Sequence, residues 1–446
     1  MILVACGAPE GGSTGGGSGT AGGSGATAGG GNNTAGGNNA AGGNNTAGGN
    51  NTAGGNNTAG GNNTAGGATA GGATAGGATA GGGMTAAVAA QIVTGRQHTC
   101  ARSTTGGVKC WGYADYGQLG NGAALSSTPY PTPQQVTGIT SGATFISTNF
   151  DHTCAVVSGA ARCWGDNTQG QLGNNSVTSS STPVQVSGLT SGVTQVAAGA
   201  THSCALLSSG VVRCWGLNDV GQLGDGTQTN SLVPVPVMGI TSGATAISAG
   251  LYHTCAIVSG ALRCWGGQPY GELGNDANTA SLVPTQVMGL TSGVTAVSAA
   301  DSMTCAIHNG AAKCWGKNGV GQLGNGMGGT LVESRTPQQV VGLTSGVTSI
   351  AAGWLYACAV HSGAAKCWGT NFDYSLGNGQ GAGFESNVPV NVTGLTSGTA
   401  AVAAGAGSNG ALLTNGTMRC WGLGGAGQLG NGMTDDSNVP VVVTGF

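Results

Sequence analysis

Charged and aromatic side chains are the scarcest features of this sequence. Asp, Glu, Lys and Arg make up 6% of its 446 residues, and Phe, Trp and Tyr make up 4%, whereas about 25% of the residues in typical soluble domains are charged. Much of the polar surface must therefore come from Ser, Thr, Asn and Gln. With 11 basic residues and a net charge of −3, the chain lacks the basic footprint that binding of nucleic acids or anionic membranes requires.

Two further absences reduce the number of function classes that the sequence allows. No apolar run reaches the length of a transmembrane helix. No Ser-His-Asp motif, nucleotide-binding loop or close pair of carboxylates of evident purpose is recognisable, and only 14 residues are acidic. We therefore predict a protein that is not an enzyme and that holds neither a cofactor nor a metal ion.

The N-terminal part of the chain has low complexity. Residues 11–83 consist almost entirely of Gly, Ala, Thr, Asn and Ser, in A-G-G-N-N-T units that shorten to A-G-G-A-T. Such a segment cannot bury enough apolar surface to offset the entropy of ordering it. We expect residues 1–6 to be a truncated signal-like segment, residues 7–83 a disordered tether and residues 84–446 the folded domain.

The first residues resemble the lipobox of bacterial lipoproteins, because Leu3-Val4-Ala5 stands directly before Cys6. Only five residues precede this cysteine and none is basic, which departs from a complete signal peptide. The resemblance implies that Cys6 carries a lipid, that this lipid is the chain's only membrane contact, and that the protein is located in the cell envelope or at the cell surface. Without the lipid, the protein would be secreted. The alternative interpretation of Cys6 is a free cysteine in a disordered tail.

A Cys-Trp-Gly step recurs seven times, with 50 to 53 residues between successive tryptophans. Each unit contains four short strand patterns bounded by Gly-rich turns. A fixed period of this length in an all-β chain predicts a seven-bladed β-propeller of four-stranded antiparallel blades. The seven tryptophans are Trp111, Trp164, Trp215, Trp265, Trp315, Trp368 and Trp421.

The repeats contain W-G-x-N-x-x-G-Q-L-G and G-x-x-H-S/T-C-A. These motifs resemble the regulator-of-chromosome-condensation repeat over about residues 86–446. The resemblance implies the same seven-bladed propeller. It also implies, as one alternative, the guanine-nucleotide exchange activity of the family's nuclear members.

Six repeats carry two cysteines nine or ten residues apart, at facing positions of a predicted hairpin. When the hairpin turns at Ser158-Gly159, for example, Cys154 lies opposite Cys163 at a closely spaced pair. We predict six disulfides and an oxidising compartment; reduced core cysteines and zinc ligands are the alternatives. In the seventh repeat Gly410 replaces the first cysteine, so Cys420 is predicted to be a buried free thiol. The predicted pairs are Cys100–Cys110, Cys154–Cys163, Cys204–Cys214, Cys255–Cys264, Cys305–Cys314 and Cys358–Cys367.

Two further repeated positions are predicted to be structural. A Lys or Arg stands two residues before each tryptophan, on the same strand face, where its cation could lie over the indole ring. A histidine recurs in the first four repeats, and we interpret it as a loop residue that bonds to the backbone rather than as a metal ligand. These histidines are His98, His152, His202 and His253.

Several variable segments carry some of the rare charged and aromatic residues, and aromatic and Arg side chains dominate interface energies. Ordinary loop variation is the alternative explanation for them. We expect a monomeric, envelope- or surface-tethered module that binds an unidentified protein or glycan without catalysis. A secreted, enzyme-inhibiting propeller and the exchange factor are the alternatives. The candidate binding residues are Tyr130, Glu333, Arg335, Trp354, Tyr356, Phe384, Glu385, Asp435 and Asp436.

Overall fold

The computed structural model describes residues 72–74, 88–329 and 332–446. Cys6, the signal-like segment 1–6 and nearly all of the predicted tether lie outside the described residues. Within them, every sheet but one has four antiparallel strands that follow one another in sequence, and the seven sheets are the predicted propeller blades. We call the strands of each blade a, b, c and d in chain order.

The strands have these bounds. A short strand, β1 (Gly72–Thr74), precedes the blades. The a, b, c and d strands are, in blade 1, β2 (Ala89–Thr94), β3 (His98–Ser103), β4 (Val108–Ala114) and β5 (Ser126–Gln135); in blade 2, β6 (Ala143–Asn149), β7 (His152–Val157), β8 (Ala160–Gly165) and β9 (Ser180–Gln185); in blade 3, β10 (Val193–Ala198), β11 (His202–Leu207), β12 (Val212–Gly216) and β13 (Ser231–Pro236); in blade 4, β14 (Ala244–Ala249), β15 (His253–Val258), β16 (Ala261–Gly266) and β17 (Ser281–Gln286); in blade 5, β18 (Val294–Ala299), β19 (Met303–His308), β20 (Ala311–Lys317) and β21 (Glu333–Gln339); in blade 6, β22 (Val347–Ala352), β23 (Tyr356–His361), β24 (Ala364–Thr370) and β25 (Glu385–Asn391); and in blade 7, β26 (Thr399–Ala404), β27 (Ser408–Leu413), β28 (Met418–Gly422) and β29 (Ser437–Val442).

The b–c hairpins follow the predicted turn chemistry. Ser158 and Gly159 have φ angles of 50° and 79°, as a two-residue turn that matches the strand twist requires. Cys154 then pairs directly with Cys163, and their Cα atoms are 4.0 Å apart. All six predicted disulfides are present, and Cys420 is a buried free cysteine opposite Gly410.

Tryptophan side chains join each blade to the one before it. All seven repeat tryptophans are fully buried. In blade 3, the indole N–H of Trp215 donates to the carbonyl of Gln171 in blade 2 at 2.8 Å. A Cβ on Gly173 would lie 2.6 Å from the same indole nitrogen, so this glycine is needed for the close approach. The six equivalent bonds join Trp111 to Gln428, Trp164 to Gln118, Trp265 to Gln222, Trp315 to Glu272, Trp368 to Gln322 and Trp421 to Ser375.

The ring closes between two complete blades. Each blade is contiguous in sequence, so among the described strands no blade combines N-terminal and C-terminal parts of the chain. Blade 1 meets blade 7 through the Trp111–Gln428 bond and through a core in which Ile92 packs with Leu412. We call this interface the seam.

Strand β1 pairs antiparallel with β2, the a strand of blade 1, with Ala73 opposite Ile92. It is the only described part of the predicted tether. No helix long and apolar enough to span a membrane occurs in the described ranges.

Candidate functional site

The propeller has two different ends. Because the four strands of a blade alternate in direction, the a–b and c–d connections lie at one end, which we call the loop face. The b–c turns and the connections from d to the next blade lie at the other end, the turn face. The variable segments predicted to bind a partner are therefore brought to one face.

Charge is segregated between these two faces. Every acidic residue except Glu10, which lies outside the described residues, falls in an a–b loop, a c–d loop or the first position of a d strand, all on the loop-face side. Only three of the 11 basic residues, Arg96, Lys317 and Arg335, share that side. A surface of one charge sign attracts a partner of the opposite sign and speeds its association. The acidic residues of this face are Asp115, Asp151, Asp166, Asp219, Asp225, Glu272, Asp276, Asp301, Glu333, Asp373, Glu385, Asp435 and Asp436.

The other eight basic residues lie in the half of the blades nearer the turn face. In the described part of the chain, none lies over a tryptophan ring, which corrects the predicted cation–indole contact. The indole instead turns toward the preceding blade, where its N–H finds a carbonyl. Lys109, for example, lies 5.8 Å from the ring centre of Phe446 and donates to the carbonyl of Gly445 at 2.9 Å.

The repeated histidines are buried strand residues that connect neighbouring blades, not loop residues. The Nε2 atom of His202 lies 2.8 Å from the Thr254 hydroxyl of the next blade, and that hydroxyl donates to the carbonyl of Gln222. His202 Nε2–H is therefore the donor, and within the described residues its Nδ1 atom has no hydrogen-bond partner. Burial lowers the pKa of His202 to about 3, so the ring is neutral. No group of three potential metal ligands occurs among the described residues.

Glu272 is a buried acid at a position that glutamine occupies in five other blades. Its carboxylate accepts from the backbone N–H of Tyr270 at 2.9 Å, as the glutamine carbonyls do in their blades. Burial raises the pKa of Glu272 to about 7. The group is part of the blade junction rather than of an open site.

The predicted binding residues are distributed over four blades. Tyr130 is half-buried in β5 and packs on the blade 1–2 core. The carboxylate of Glu333 pairs with the Arg335 guanidinium at 2.8 Å in blade 5. Phe384 and Glu385 are exposed at the start of β25.

The remaining predicted residues lie in blades 6 and 7. Asp435 and Asp436 line an open polar depression beside Tyr374. Trp354 is 48% exposed, whereas Tyr356 is 1% exposed. Tyr356 takes the buried histidine position, and its hydroxyl lies 3.1 Å from the carbonyls of Gly405 and Ser408. It is therefore not available as a surface contact, which corrects its assignment.

Sequence reasoning missed the mouth of the central channel. A cavity of about 40 Å³ opens there, between the a–b loops of blades 1, 2, 5, 6 and 7. Its lining includes Thr94, Phe150, Asp301 and Trp354. The available signal was positional, because Phe150, Tyr252 and Trp354 place aromatic rings in a–b loops that carry none in the other four blades.

Fold and repeat chemistry thus define a seven-bladed propeller whose acidic loop face surrounds a small cavity. The model of the RCC1-like domain family matches residues 61–393. The chain therefore belongs to the RCC1-like domain family.

This chain is similar to a protein found by sequence comparison and to proteins of known structure. The chain is 35% identical over 101 residues to the secretion-regulating guanine nucleotide exchange factor of Bos taurus, which is 20% of this chain and 22% of that protein's length. The structure of human WBSCR16 aligns with a TM-score of 0.66 at 22% identity, over 76% of this chain and 94% of that one. Yeast RCC1 (Prp20), solved bound to Kap60, aligns with a TM-score of 0.64 at 21% identity, over 78% and 84%. The two structures establish the fold.

These findings correct the expected function. We predicted a non-catalytic module displayed on the envelope or surface, with the exchange factor as an alternative. Family membership and a relative named as a guanine nucleotide exchange factor favour that alternative. The lipoprotein part of the expectation rests on Cys6, which lies outside the described residues.

Proposed function

We propose that this chain is a guanine-nucleotide exchange factor whose loop face binds a GTP-binding protein and accelerates the release of its nucleotide. The observation that carries the proposal is the similarity to the secretion-regulating guanine nucleotide exchange factor within the RCC1-like family. Because the matched segment covers 22% of that relative, activity and partner are proposed for this chain and require a direct test.

The charge of the loop face supports this assignment. A P-loop GTP-binding protein holds the nucleotide phosphates with a lysine, backbone N–H groups and Mg²⁺. An acidic surface is attracted to such a positive site and repels the phosphates that occupy it. Exchange is a binding process in which no covalent bond changes, so it requires no catalytic residue in the sense of bond chemistry.

The six disulfides do not contribute to the proposed interface. Each joins strands b and c inside a blade, and all twelve cysteines are fully buried. Reduction would therefore weaken the blades without removing a loop-face side chain. The exchange assay should be run on the oxidised protein.

The direct test is nucleotide release. The full chain is added to a panel of small GTP-binding proteins loaded with fluorescent GDP, and the release rate is measured at low and high salt. We expect at least about a tenfold acceleration for one member, weakening as salt screens the acidic face. No acceleration with any member would overturn the proposal.

A matched pair of variants locates the interface. Glu385→Gln with Asp435→Asn neutralises two exposed loop-face acids that make no side-chain hydrogen bond in the described structure. Arg213→Gln with Arg263→Gln neutralises two bases on the opposite side. The first pair should lower the exchange rate severalfold and the second should leave it nearly unchanged; equal effects would contradict binding by the loop face.

A further inference from the structure

The cavity at the channel mouth has the size of a small planar group. Its volume is about 40 Å³, and on the same kind of measure one water needs roughly 10–15 Å³. It therefore has room for about three waters, or for a group of comparable size such as a guanidinium. The surrounding loops come from blades that are distant in sequence but adjacent around the ring.

The cavity carries one negative charge. Among the described residues, Asp301 is the only ionisable side chain in its lining, and no ion pair within 4.0 Å engages it. Burial raises the pKa of the Asp301 carboxyl, while the nearby Trp354 and Ser302 side chains and the Lys317 ammonium favour its charged form. Lys317 itself lies 5.0 Å from the ring centre of Tyr270. The carboxylate disfavours an anion in this cavity, whereas a cation that entered it could form a direct ion pair with Asp301.

The cavity also contains an acceptor that the protein leaves unused. The hydroxyl oxygen of Thr94 has no hydrogen-bond partner among the described residues, although the residue is only 2% exposed. Buried polar atoms of folded proteins are nearly always paired, so an unpaired one at a cavity wall points to a ligand or water. Thr94 and Asp301 together offer hydroxyl and carboxylate oxygens to a donor.

Aromatic rings flank these acceptors. Phe150 and Trp354 both line the cavity, and the faces of such rings attract cations. On the blade 1–2 side of the mouth, Arg96 already lies 5.9 Å from the Phe150 ring centre and pairs with Asp151 at 3.7 Å. No comparable cation lies over Trp354 in the described structure.

Backbone hydrogen bonds between blades hold the mouth in shape. Trp354 N–H donates to Gly405 at 3.2 Å, and Ala406 N–H donates to Gly95 across the seam at 3.3 Å. Arg96 N–H donates to Phe150 at 3.2 Å. A preformed site avoids the entropy cost of ordering its walls when a ligand binds.

We infer that the channel mouth is a binding site for a guanidinium group, such as an arginine side chain presented by a partner protein. The planar guanidinium stacks on Trp354 while its N–H groups donate to Asp301 and Thr94. A guanidinium is favoured over an ammonium because it is planar, weakly hydrated and able to stack on aromatic faces. The inference does not depend on exchange activity, since the site is defined by its own geometry.

Trp354 supplies the reporter for the test. It is the only exposed tryptophan, because the other seven of the chain's eight are fully buried. The full chain is titrated with Nα-acetyl-arginine amide while its tryptophan emission is followed. The citrulline and lysine analogues serve as the neutral isostere and the ammonium control.

We expect saturable binding of the arginine probe with a dissociation constant of about 1 mM, and at least about tenfold weaker binding of both control probes. Asp301→Asn should weaken arginine binding at least about tenfold, whereas Asp276→Asn, which changes an exposed acid outside the cavity, should not. Circular dichroism checks that each variant is folded. Equal binding of citrulline or lysine, equal losses in the two variants, or no saturation would each overturn the guanidinium site, whatever the outcome of the nucleotide-release assay.

Discussion

Blade 7 has the same four strands as the other blades but lacks two of their cross-links. Gly410 stands where six blades have the first cysteine of a disulfide. Ser408 stands where four blades have the histidine that bonds to the next blade, and its hydroxyl oxygen has no hydrogen-bond partner in the part of the chain that the structure describes. Blade 7 is also the blade that must close the ring onto blade 1.

The comparison shows that packing against a neighbouring blade affects which residue a repeat has at a given position. A Cβ added to Gly410 would lie 2.6 Å from the Cδ1 atom of Ile92 in blade 1. In its present conformation the Ile92 side chain occupies the space that a cysteine would need, whereas at three other junctions an isoleucine at the equivalent position packs beside a disulfide, as Ile146 does beside Cys100. Trp111 and Thr99 still donate to the carbonyl of Gln428, each at 2.9 Å, so the junction with the preceding blade is retained where the disulfide is lost.

Reducing all six disulfides should have the largest effect, because it removes the difference between blade 7 and the rest. Each disulfide closes a loop of about ten residues, which by chain entropy contributes about 2–3 kcal/mol. Their combined loss should lower the free energy of unfolding by more than about 10 kcal/mol. Denaturant unfolding of the oxidised chain and of the chain refolded in reductant measures it, with thiol titration as the control. An unchanged midpoint would show that the disulfides do not set the stability of blades 1–6.

Replacing the seam tryptophan tests whether the junction between blades 7 and 1 is weaker than the junction between two other blades. Trp111→Leu removes the indole bond to Gln428 and opens a cavity at the seam, and Trp265→Leu does the same between blades 3 and 4. Each should cost about 3 kcal/mol. Hydrogen exchange should then separate them, since only Trp111→Leu should raise exchange in the strands of blade 7.

The control for this prediction is the rate of hydrogen exchange in the strands of blades 3 and 4. Trp265→Leu should raise exchange there and leave blade 7 protected. If both variants raised exchange equally around the whole ring, the propeller would open as one cooperative unit and the seam would not be its weakest junction.

Adding a seventh disulfide would give blade 7 the cross-link that the other six blades have, and would therefore also remove the difference between them. Gly410→Cys places a thiol opposite Cys420, and Ile92→Val removes the methyl group that a new Cβ would meet. Valine already occupies the equivalent place beside a disulfide, as Val196 does beside Cys154. The oxidised double variant should gain about 2–3 kcal/mol.

Two controls isolate the new bond. Ile92→Val alone should cost about 1 kcal/mol through the lost methyl group, and the double variant in reductant should show no gain. A double variant that oxidises fully and yet unfolds at the wild-type denaturant concentration would mean that the seam limits stability and that strengthening blade 7 is ineffective.

The sequence was sufficient for features that lie within one repeat. The cysteine pairs, the turn at Ser158-Gly159 and the free Cys420 depend on spacings of about ten residues, which hairpin geometry fixes. The channel mouth could not be predicted in the same way. Phe150, Asp301 and Trp354 lie in blades 2, 5 and 6, and their convergence depends on how the ring closes.

Two of the sequence-based predictions were wrong even though the repeats contained the information needed to correct them. Tyr356 was assigned to the surface, although it aligns with His98 and the other buried histidines, and its hydroxyl reaches backbone carbonyls of blade 7. The predicted cation–indole contact assumed that residues sharing a strand face also touch. The indole instead finds a carbonyl of the preceding blade, a partner about 43 residues away for Trp265.

The smallest expected effect concerns the histidine position. Ser408→His should place Nε2 near the Thr99 hydroxyl, as His202 lies near Thr254, and add about 1 kcal/mol at pH 8. His202→Met, which copies the buried Met303 of blade 5, should lose about as much at that pH. Thermal unfolding of both variants and the wild type at pH 8 and pH 5 measures the two shifts.

The pH dependence distinguishes a histidine bond from simple packing. Burial lowers the pKa of His202 to about 3 from an ordinary 6.5, so its stabilising contribution is complete above pH 6.5 and declines as the pH falls below it. Each unit below 6.5 costs about 1.4 kcal/mol. His202→Met should therefore be less stable than the wild type at pH 8 and more stable at pH 5, while Ser408→His should lose its advantage by pH 5. A pH-independent difference in either variant would mean that side-chain volume, and not the neutral imidazole between two blades, is what the position requires.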